Sequence, residues 1–378
     1  MVNPPPLGLY IHFPWCVRKC PYCDFNSHEV KGGAPEQRYI AALREDFEHE
    51  FARLDSARAI TSIFMGGGTP SLFAPEPIAA LLQTIRAQAP VAADCEITLE
   101  ANPGAIDSVK FREFRSLGIN RLSIGVQSFN SEHLRLLGRI HDAGQAVDAA
   151  QKARAAGFDN FNLDLMFGLP GQTPDQTRAD VQIAIDLEPT HLSYYHLTLE
   201  PNTYFHKYPP PLPEADAAYR LQLAGQHILA QAGYRQYEIS AYAQEGYSCR
   251  HNRNYWQFGD YIGIGAGAHG KLSLSQGMIR TAKPKHPEHY MQNPAHAQVE
   301  SVAAAQLPFE FLMNHLRLRD GFSLLDYRQR TGLDASSLEP ALSQCQAQGL
   351  LRRSEGRIAC TEKGWDFLDD VLGKFLPD

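Results

Sequence analysis

The sequence of 378 residues lacks the features that mark membrane, secreted and nucleic-acid-binding proteins. No window reaches the ~18 consecutive apolar residues that a membrane-spanning helix needs. The first basic residue, Arg18, follows the first apolar segment, whereas in a signal peptide it would precede it. Positive charge is in deficit, since 35 Lys and Arg stand against 42 Asp and Glu. We therefore expect a cytoplasmic, unprocessed protein with no transmembrane segment and no nucleic-acid partner.

Cysteine is scarce and unevenly distributed. There are seven cysteines, an odd number, and three of them crowd into one short stretch as Cys16, Cys20 and Cys23. In a large cytosolic chain such a group indicates a metal site and not a disulfide framework. The others are scattered and are predicted to be structural thiols: Cys95, Cys249, Cys345 and Cys360.

Short β-rich segments alternate with segments of helical periodicity over the first 200 residues. The predicted strands cover 7–13, 62–65, 96–100, 121–127, 160–166 and 191–199. The predicted helices cover 37–54, 75–89, 107–117, 131–137, 144–156 and 174–187. This alternation predicts right-handed crossovers, a parallel sheet and therefore an α/β fold. Six such units indicate a barrel or partial barrel, with a doubly wound open sheet as the alternative.

Proline ends this pattern. The segment 201–213 contains five prolines and is predicted to end the barrel, because proline fixes φ and donates no backbone hydrogen bond. Further along, the sequence predicts a helix over 214–231 and a strand-like segment over 236–242, and these are followed by a region rich in Gly, Tyr, His and Asn over 246–271.

The tail has a different organisation. Helices are predicted near 303–318, 323–331 and 336–348, then a hairpin at 350–361 and a last helix at 362–375, an order typical of a winged-helix-like module. Residues 300–378 carry nine basic and twelve acidic residues, so we expect packing or partner contact and not DNA binding. The predicted domains are a barrel at 1–200, a barrel-adjoining segment at 201–299 and a C-terminal helical, winged-helix-like domain at 300–378.

Polar and glycine-rich groups follow the predicted strands. The three cysteines come after the first strand and Gly66-Gly67-Gly68-Thr69-Pro70 after the second. Glu100 and Gln127 end the third and fourth strands, and Asp164 lies late in the fifth. Because ligands of parallel sheets bind beyond the carboxyl ends of the strands, these groups are expected on one face.

Three thiolates within one loop can bind one soft metal centre. A four-iron cluster takes one thiolate per iron, so three cysteines leave one iron open to bind and activate another molecule. The alternative is a structural zinc site of three cysteines and one histidine, completed by His12 or His28.

The pattern Cys16-Val17-Arg18-Lys19-Cys20-Pro21-Tyr22-Cys23 resembles the signature of the radical S-adenosylmethionine (SAM) family. The resemblance implies a partial parallel (β/α)6 radical-SAM barrel and a [4Fe-4S] cluster on the three cysteines. It also implies S-adenosyl-L-methionine chelated to the open iron and cleaved to a 5′-deoxyadenosyl radical. The glycine run at 66–68 strengthens it, because residues without side chains let the backbone approach the methionine amino group.

Residues 7–270 further resemble the branch of that family that contains the oxygen-independent coproporphyrinogen III oxidases and the haem chaperones. By position, Tyr10, Gly67 and Glu100 resemble contacts of the SAM molecule at the cluster. Six further residues resemble contacts to a second SAM molecule that is described for the oxidase: Tyr22, Gly68, Thr69, Gln127, Arg139 and Asp164. The residues alone leave an alternative interpretation for two of these positions: packing within the strand for Tyr10 and a surface ion pair for Arg139. A carboxylate such as Asp164 inside an apolar strand needs a partner.

Two departures separate this chain from the oxidases of that branch. The oxidases extend the cysteine motif by one further cysteine, where this chain has Phe25, and they carry a longer arm before the cluster. Both differences put decarboxylation of coproporphyrinogen in doubt, although an oxygen-independent coproporphyrinogen III oxidase remains the competing hypothesis. Whether radical chemistry occurs, and hence whether the protein is an enzyme, stays open at this point.

A second motif points to haem. His251-Asn252-Arg253-Asn254-Tyr255-Trp256 resembles the HNxxYW motif of the HemW proteins, which are the haem chaperones of the branch. The resemblance implies a haem site formed by His251, Tyr255 and Trp256, with His251 reaching outward to the iron and Cys249 as a lesser candidate. The implied partners are haem and the apoproteins that accept it, and a cluster-dependent homodimer is a further expectation.

Overall fold

The computed structural model describes residues 4–105 and 107–377. Its strands are β1 (Leu7–Phe13), β2 (Trp15–Cys16), β3 (His28–Glu29), β4 (Ile60–Gly67), β5 (Val91–Ala101), β6 (Arg121–Gln127), β7 (Phe161–Phe167), β8 (His191–His196), β9 (Arg235–Glu238), β10 (Ala241–Ala243), β11 (Asp260–Ile264), β12 (His269–Leu274), β13 (Gly277–Ala282), β14 (Gln298–Ser301), β15 (Phe322–Ser323), β16 (Leu351–Ser354) and β17 (Arg357–Cys360).

Its helices are α1 (Glu36–Phe51), α2 (Pro75–Gln88), α3 (Ser108–Ser116), α4 (Ser131–Leu136), α5 (Ala143–Ala155), α6 (Pro174–Asp186), α7 (Tyr204–Lys207), α8 (Ala215–Gln231), α9 (Arg250–Trp256), α10 (Pro287–Gln292), α11 (Leu307–His315), α12 (Leu324–Thr331), α13 (Ala341–Ala347), α14 (Glu362–Asp366) and α15 (Leu368–Gly373). Within the described ranges, none of these helices has the length and apolar character needed to cross a membrane.

One large sheet organises the molecule. Within the described residues it has twelve strands in the order β14-β13-β12-β11-β1-β4-β5-β6-β7-β8-β10-β9. The run β1, β4, β5, β6, β7, β8 follows chain order, and all of its neighbours are parallel. A doubly wound sheet would reverse its strand order at a switch point, so this is a partial (β/α)6 barrel. The predicted α/β fold class is confirmed.

Side-chain alternation in β1 shows why the sheet has a filled outer layer and a polar interior. Leu7, Leu9, Ile11 and Phe13 are buried in the main hydrophobic core, which includes residues of α1 and α2. The residues between them face the other side of the strand, because successive side chains alternate across a sheet. Of these, Tyr10 and His12 line the interior of the barrel.

The proline-rich segment 201–213 contains one short helix. Helix α7 forms one turn between the prolines, where the Thr203 side chain accepts a hydrogen bond from the His206 N–H. The turn ends at Tyr208, before Pro209. The main sheet also continues past this segment, through β9 and β10 at one side and β11 to β14 at the other.

The segment 246–271, which is rich in Gly, Tyr, His and Asn, contains regular structure. Helix α9 carries the HNxxYW motif, and β11 follows it directly. β11 pairs in parallel with β1, with Leu7 opposite Asp260. The buried Asp260 carboxylate accepts from Lys271 Nζ at 3.0 Å and lies 2.9 Å from Arg58 Nη1. These contacts fix β11, and therefore α9, against the first strand of the barrel.

The C-terminal part forms its own small core. β15, β17 and β16 make a three-stranded sheet beside the helices of this part, as the predicted helix and hairpin order implied. Phe311, Phe322 and Tyr327 are buried at its centre. Met313 and Asn314 of α11 reach the barrel and line its largest cavity, so this part helps to close the interior.

Candidate functional site

The three clustered cysteines lie on the loop that follows β1, and each is half-buried with a free thiol. Thr69 Oγ1 donates to Cys16 Sγ at 3.6 Å, and Arg139 Nη1 lies 3.6 Å from Cys20 Sγ. Polar hydrogens directed at sulfur stabilise negatively charged thiolates, so the donor set around this loop fits metal-bound cysteines.

A single zinc ion would need a fourth ligand besides the three cysteines. His12 is unsuited to be the fourth ligand, because Nδ1 lies 2.8 Å from the Tyr10 hydroxyl and Nε2 lies 2.8 Å from the Asn26 carbonyl. Among the described residues, no three His, Cys, Asp or Glu side chains converge closely enough to hold one ion. Burial raises the pKa of the Cys16 and Cys23 thiols, so a metal centre has to displace their protons.

Close contacts leave no room for side chains in the glycine run at the end of β4. Gly67 has φ 108°, and a Cβ there would lie 2.3 Å from the His12 ring. A Cβ on Gly68 would lie 2.5 Å from the Trp15 carbonyl. The Gly68 N–H donates to the Phe13 carbonyl at 2.7 Å, so the run is held directly against the chain that enters the cysteine loop.

Two carboxyl groups occupy the interior beside this run. Glu100 Oε2 accepts from the Gly67 N–H at 3.0 Å. Burial, and next the charge of Asp164, raise the pKa of Glu100 to about 8. Burial also raises the pKa of Asp164, which accepts from Asn162 Nδ2 at 2.7 Å. The predicted need of Asp164 for a partner is confirmed.

This burial predicts a pH-dependent cost to stability at Glu100. Its folded-state pKa lies above the unfolded value, so its contribution is most favourable at low pH and is lost as pH rises towards 8. We expect Glu100→Gln to stabilise the cluster-free protein on the order of a few kcal/mol near pH 8 and little near pH 5. Thermal unfolding of parent and variant across this range measures the effect.

The matched control for that series is Glu132→Gln, which removes an exposed carboxylate on α4. Its stability difference from the parent should change little with pH. A Glu100→Gln variant that is less stable than the parent at pH 8 would show that the ionised carboxylate is a structural partner in the folded protein.

Gln127 ends β6 in a strained conformation. It is buried and has φ 72°, a left-handed value that side chains other than glycine rarely adopt. Its Oε1 accepts from the Tyr195 hydroxyl at 2.6 Å. Such backbone strain concentrates at functional sites, and here it turns a polar side chain into the interior.

Two joined cavities occupy the barrel. The cysteine cavity, of about 350 Å³, is lined by the cysteine loop, the glycine run and the upper ends of the strands. The central cavity, of about 1050 Å³, extends from Gly67 to the base of the barrel and to α9 and α11. Both are lined by Gly67, Glu100, Asp164 and Trp256, so they form one continuous space.

The structure brings almost all of the predicted site residues together. The cysteine cavity is lined by Cys16, Cys20, Tyr22, Cys23, Gly67, Gly68, Thr69, Glu100, Gln127, Arg139, Asp164 and Trp256. Tyr10 and Tyr255 line the central cavity. Arg139 forms no ion pair with any residue that the structure describes, and its guanidinium donates to the Gly125 carbonyl and approaches Cys20.

His251 differs from its predicted orientation. We expected its side chain to reach outward, but it is 1% exposed and lines neither cavity. Its Nδ1 lies 3.0 Å from Ser62 Oγ and its Nε2 lies 3.1 Å from the Tyr255 hydroxyl. The expectation was wrong because α9 packs against β4 and β1, which places the ring behind Tyr255. Burial, and next Arg121, lower the pKa of His251 to about 3, so the ring is neutral.

Sequence reasoning missed the lower part of the central cavity. Its walls include Arg121, Ser123, Asn162, His191 and Ser193. The signal that could have found them is the alternation of polar residues along β6, β7 and β8, where a filled barrel would carry Val, Ile or Leu. Most alternate residues of these strands are polar or small and face a cavity, with the buried Met166 of β7 as an exception.

Family models match two parts of the chain. The model of the radical SAM superfamily matches residues 10–183, and the model of the HemN C-terminal domain matches residues 302–367. The first match includes the cysteine loop and the glycine run. The second covers most of the small C-terminal core.

Curated relatives match along the whole length. Heme chaperone HemW of Escherichia coli (strain K12) is 48% identical over 100% of both chains, and heme chaperone HemW of Haemophilus influenzae is 46% identical over 99% of both. Radical S-adenosyl methionine domain-containing protein 1, mitochondrial, of Mus musculus is 34% identical over 98% of this chain and 87% of its own.

Among solved structures, coproporphyrinogen III oxidase (HemN) from Escherichia coli superposes with a TM-score of 0.83. The match covers 98% of this chain and 90% of that one at 23% identity. At that identity the likeness shows a shared fold and leaves open which reaction, if any, the interior supports.

Proposed function

Because this chain belongs to the HemW family of radical SAM proteins, we propose that it is a haem chaperone that binds a [4Fe-4S] cluster, S-adenosyl-L-methionine and haem and delivers haem to acceptor apoproteins. The observation that carries the proposal is the pair of joined cavities. One has the cysteine loop in its wall, and the other is at the large end of the range for ligand pockets and includes the HNxxYW motif.

Cys16, Cys20 and Cys23 would hold the cluster. When bound, it supplies an open iron for the methionine moiety and an electron for cleavage of the sulfonium. The hydroxyl of Thr69 and the guanidinium of Arg139 hydrogen-bond to the thiolates. The rigid glycine run, fixed by contacts to β1 and the loop, brings backbone groups close to the ligand at this end of the barrel.

The remaining proposed SAM contacts line the same space. Tyr10, Gly67 and Glu100 border the central cavity where it meets the cysteine cavity, and Glu100 can accept from an ammonium or a ribose hydroxyl. For a second SAM molecule, the polar groups available are Tyr22, Gly68, Thr69, Gln127, Arg139 and Asp164.

Haem is proposed to occupy the central cavity. Tyr255 and Trp256 give it aromatic walls, together with Phe64. The rim includes Lys19 and Lys285, where Lys285 is exposed and can meet carboxylates at the mouth. Tyr255 lines the cavity, and the neutral His251 ring lies behind it, with Nε2 3.1 Å from the Tyr255 hydroxyl.

Two assays on one anaerobically reconstituted preparation test this function. The first follows haem transfer from the protein to an apoprotein acceptor by the acceptor's haem spectrum. The second follows decarboxylation of coproporphyrinogen III with SAM and a reductant. We expect transfer without decarboxylation, and efficient decarboxylation with no haem binding would favour the oxidase hypothesis instead.

A single substitution should not convert the protein into an oxidase. Phe25 stands where the oxidases have a further cysteine, and its ring is 58% exposed beside both cavities. Many other residues line the two cavities and are unchanged by this substitution, so we expect Phe25→Cys to leave decarboxylation at the level of the parent. Phe25→Ser, which is similarly small and polar, is the control. Appreciable conversion by Phe25→Cys alone would show that the missing thiol is the whole difference.

A further inference from the structure

Arg121 is a buried charge that the protein itself leaves without a partner. Its residue is 2% exposed, and its Nε has no hydrogen-bond partner among the described residues. It forms no salt bridge within those residues, although Glu96 and Asp164 are near enough to influence its charge. Buried charges in proteins are normally paired, because an unpaired one carries a large desolvation cost.

The groups around Arg121 are already engaged with one another. Asn162 Oδ1 lies 2.7 Å from His191 Nδ1, and His191 Nε2 lies 2.9 Å from the Tyr237 hydroxyl. Glu96 Oε1 accepts from the His251 N–H at 3.3 Å and from Cys249 Sγ at 3.5 Å. The nearest carboxylate is therefore directed at α9 and not at the guanidinium.

Arg121 faces the central cavity at the end remote from the cysteine loop. It opens β6, whereas Gln127 ends that strand beside the cysteines. Their Cα atoms are six residue steps apart, about 20 Å along the strand. The charge of Arg121 still reaches Glu100, a proposed SAM contact, so the titrations below, and not distance alone, separate a carboxylate of haem from that of SAM.

We propose that Arg121 binds a carboxylate of the tetrapyrrole, and that it orients haem in the central cavity by one propionate. This inference rests on the proposed function. A guanidinium offers two parallel N–H donors that match a carboxylate, and in a buried site such a pair is both strong and directional. Pairing with a propionate would explain why the protein keeps the unpaired buried charge of Arg121 when no haem is bound.

The first test needs no ligand. Arg121→Met keeps the length of the side chain and removes the charge, so the unloaded protein should melt at the same temperature as the parent or higher. Arg220→Met, on the exposed face of α8, is the control for loss of a positive charge. A clear fall in melting temperature for Arg121→Met alone would overturn the proposal, because it would identify Arg121 as a structural partner of Glu96 or Asp164.

The second test compares haem with haem dimethyl ester, which lacks both carboxylates. The parent should bind haem more tightly than the ester, and Arg121→Met should bind haem at least tenfold more weakly than the parent, about 1.4 kcal/mol. Its affinity for the ester should match that of the parent. Arg121→Lys should retain part of the preference for haem. Equal haem affinity of parent and Arg121→Met would overturn the proposal while leaving haem binding, and so the proposed function, intact.

A third titration separates the two sources of carboxylate. SAM affinity of the reconstituted protein should be the same in parent and Arg121→Met. A tenfold loss for SAM with unchanged haem affinity would assign the anchor to the methionine carboxylate and overturn the assignment to haem. A parent that binds no haem would remove the proposed function and this inference together.

Discussion

Replacing any one of Cys16, Cys20 and Cys23 by alanine is expected to abolish assembly of the four-iron cluster. Each iron of the cluster takes one thiolate, and three protein ligands already leave one iron open. The parent should take up about four irons and four sulfides per chain on anaerobic reconstitution, and each variant should take up close to none. Iron and sulfide analysis together with the visible absorption of the cluster measures the result.

Cys345→Ala is the matched control for the cysteine series. Cys345 is a buried thiol in the C-terminal core, far along the chain from the loop, so its loss should cost a little stability and leave the iron content unchanged. A parent that held zinc tightly and took up no iron would contradict the cluster, and the surroundings of His12 would then need another explanation. Haem binding by the cluster-free variants would show separately whether the central cavity works without the metal.

The barrel was predictable because its signal is local. β1 and β6 coincide with the predicted segments at 7–13 and 121–127, since buried strands bounded by polar or glycine-rich turns have sharp ends. The start of β5 at Val91 was missed, because Val91 and Ala92 are half-buried, Ala93 and Asp94 are exposed, and the four carry no alternation that marks a core. Packing against β4 extends that strand, and packing is not visible in the segment itself.

The upper part of the site was predictable for a different reason. Cysteine spacing and a glycine run are short motifs whose chemistry depends on neighbours along the chain, and the structure gathers them in one cavity. The base of the cavity depends on β6, β7, β8 and α9, which come from distant parts of the sequence. In the sequence, Arg121 is only a polar residue at the start of a strand. Its lack of a charged partner is visible only in the folded structure.

Helix α9 shows the same limit most clearly. The segment around Gly246 suggested a loop from which a histidine could project, and composition could not reveal that the chain returns to the barrel there. Gly8 gives α9 room at this point, because a Cβ there would lie 3.2 Å from Asn254 Nδ2, which is tighter than an ordinary contact. A small residue in β1 thus lies directly against a motif about 240 residues later, and only the fold connects the two.

Loss of His251 is expected to weaken haem binding at least tenfold, about 1.4 kcal/mol, even though its ring does not line the cavity. Its neutral Nε2 lies 3.1 Å from the hydroxyl of Tyr255, whose side chain lines the central cavity. The pair therefore offers iron either the imidazole, once the hydroxyl turns away, or the phenol oxygen, with the hydroxyl still donating its hydrogen bond to the imidazole. His251→Ala removes the first option and disables the second.

Tyr255→Phe distinguishes these two modes, because it keeps the aromatic wall and removes only the hydroxyl. If iron is bound by the imidazole, the variant retains the haem spectrum and affinity of the parent, since Nε2 has then lost its competitor. If iron is bound by the phenol oxygen, the variant loses both to the same extent as His251→Ala. Anaerobic haem titration measures both variants, with folding checked by circular dichroism because His251 is buried beside Ser62. A folded His251→Ala variant with unchanged spectrum and affinity would show that the histidine is structural, and Cys249 and His269 would be the next residues to test.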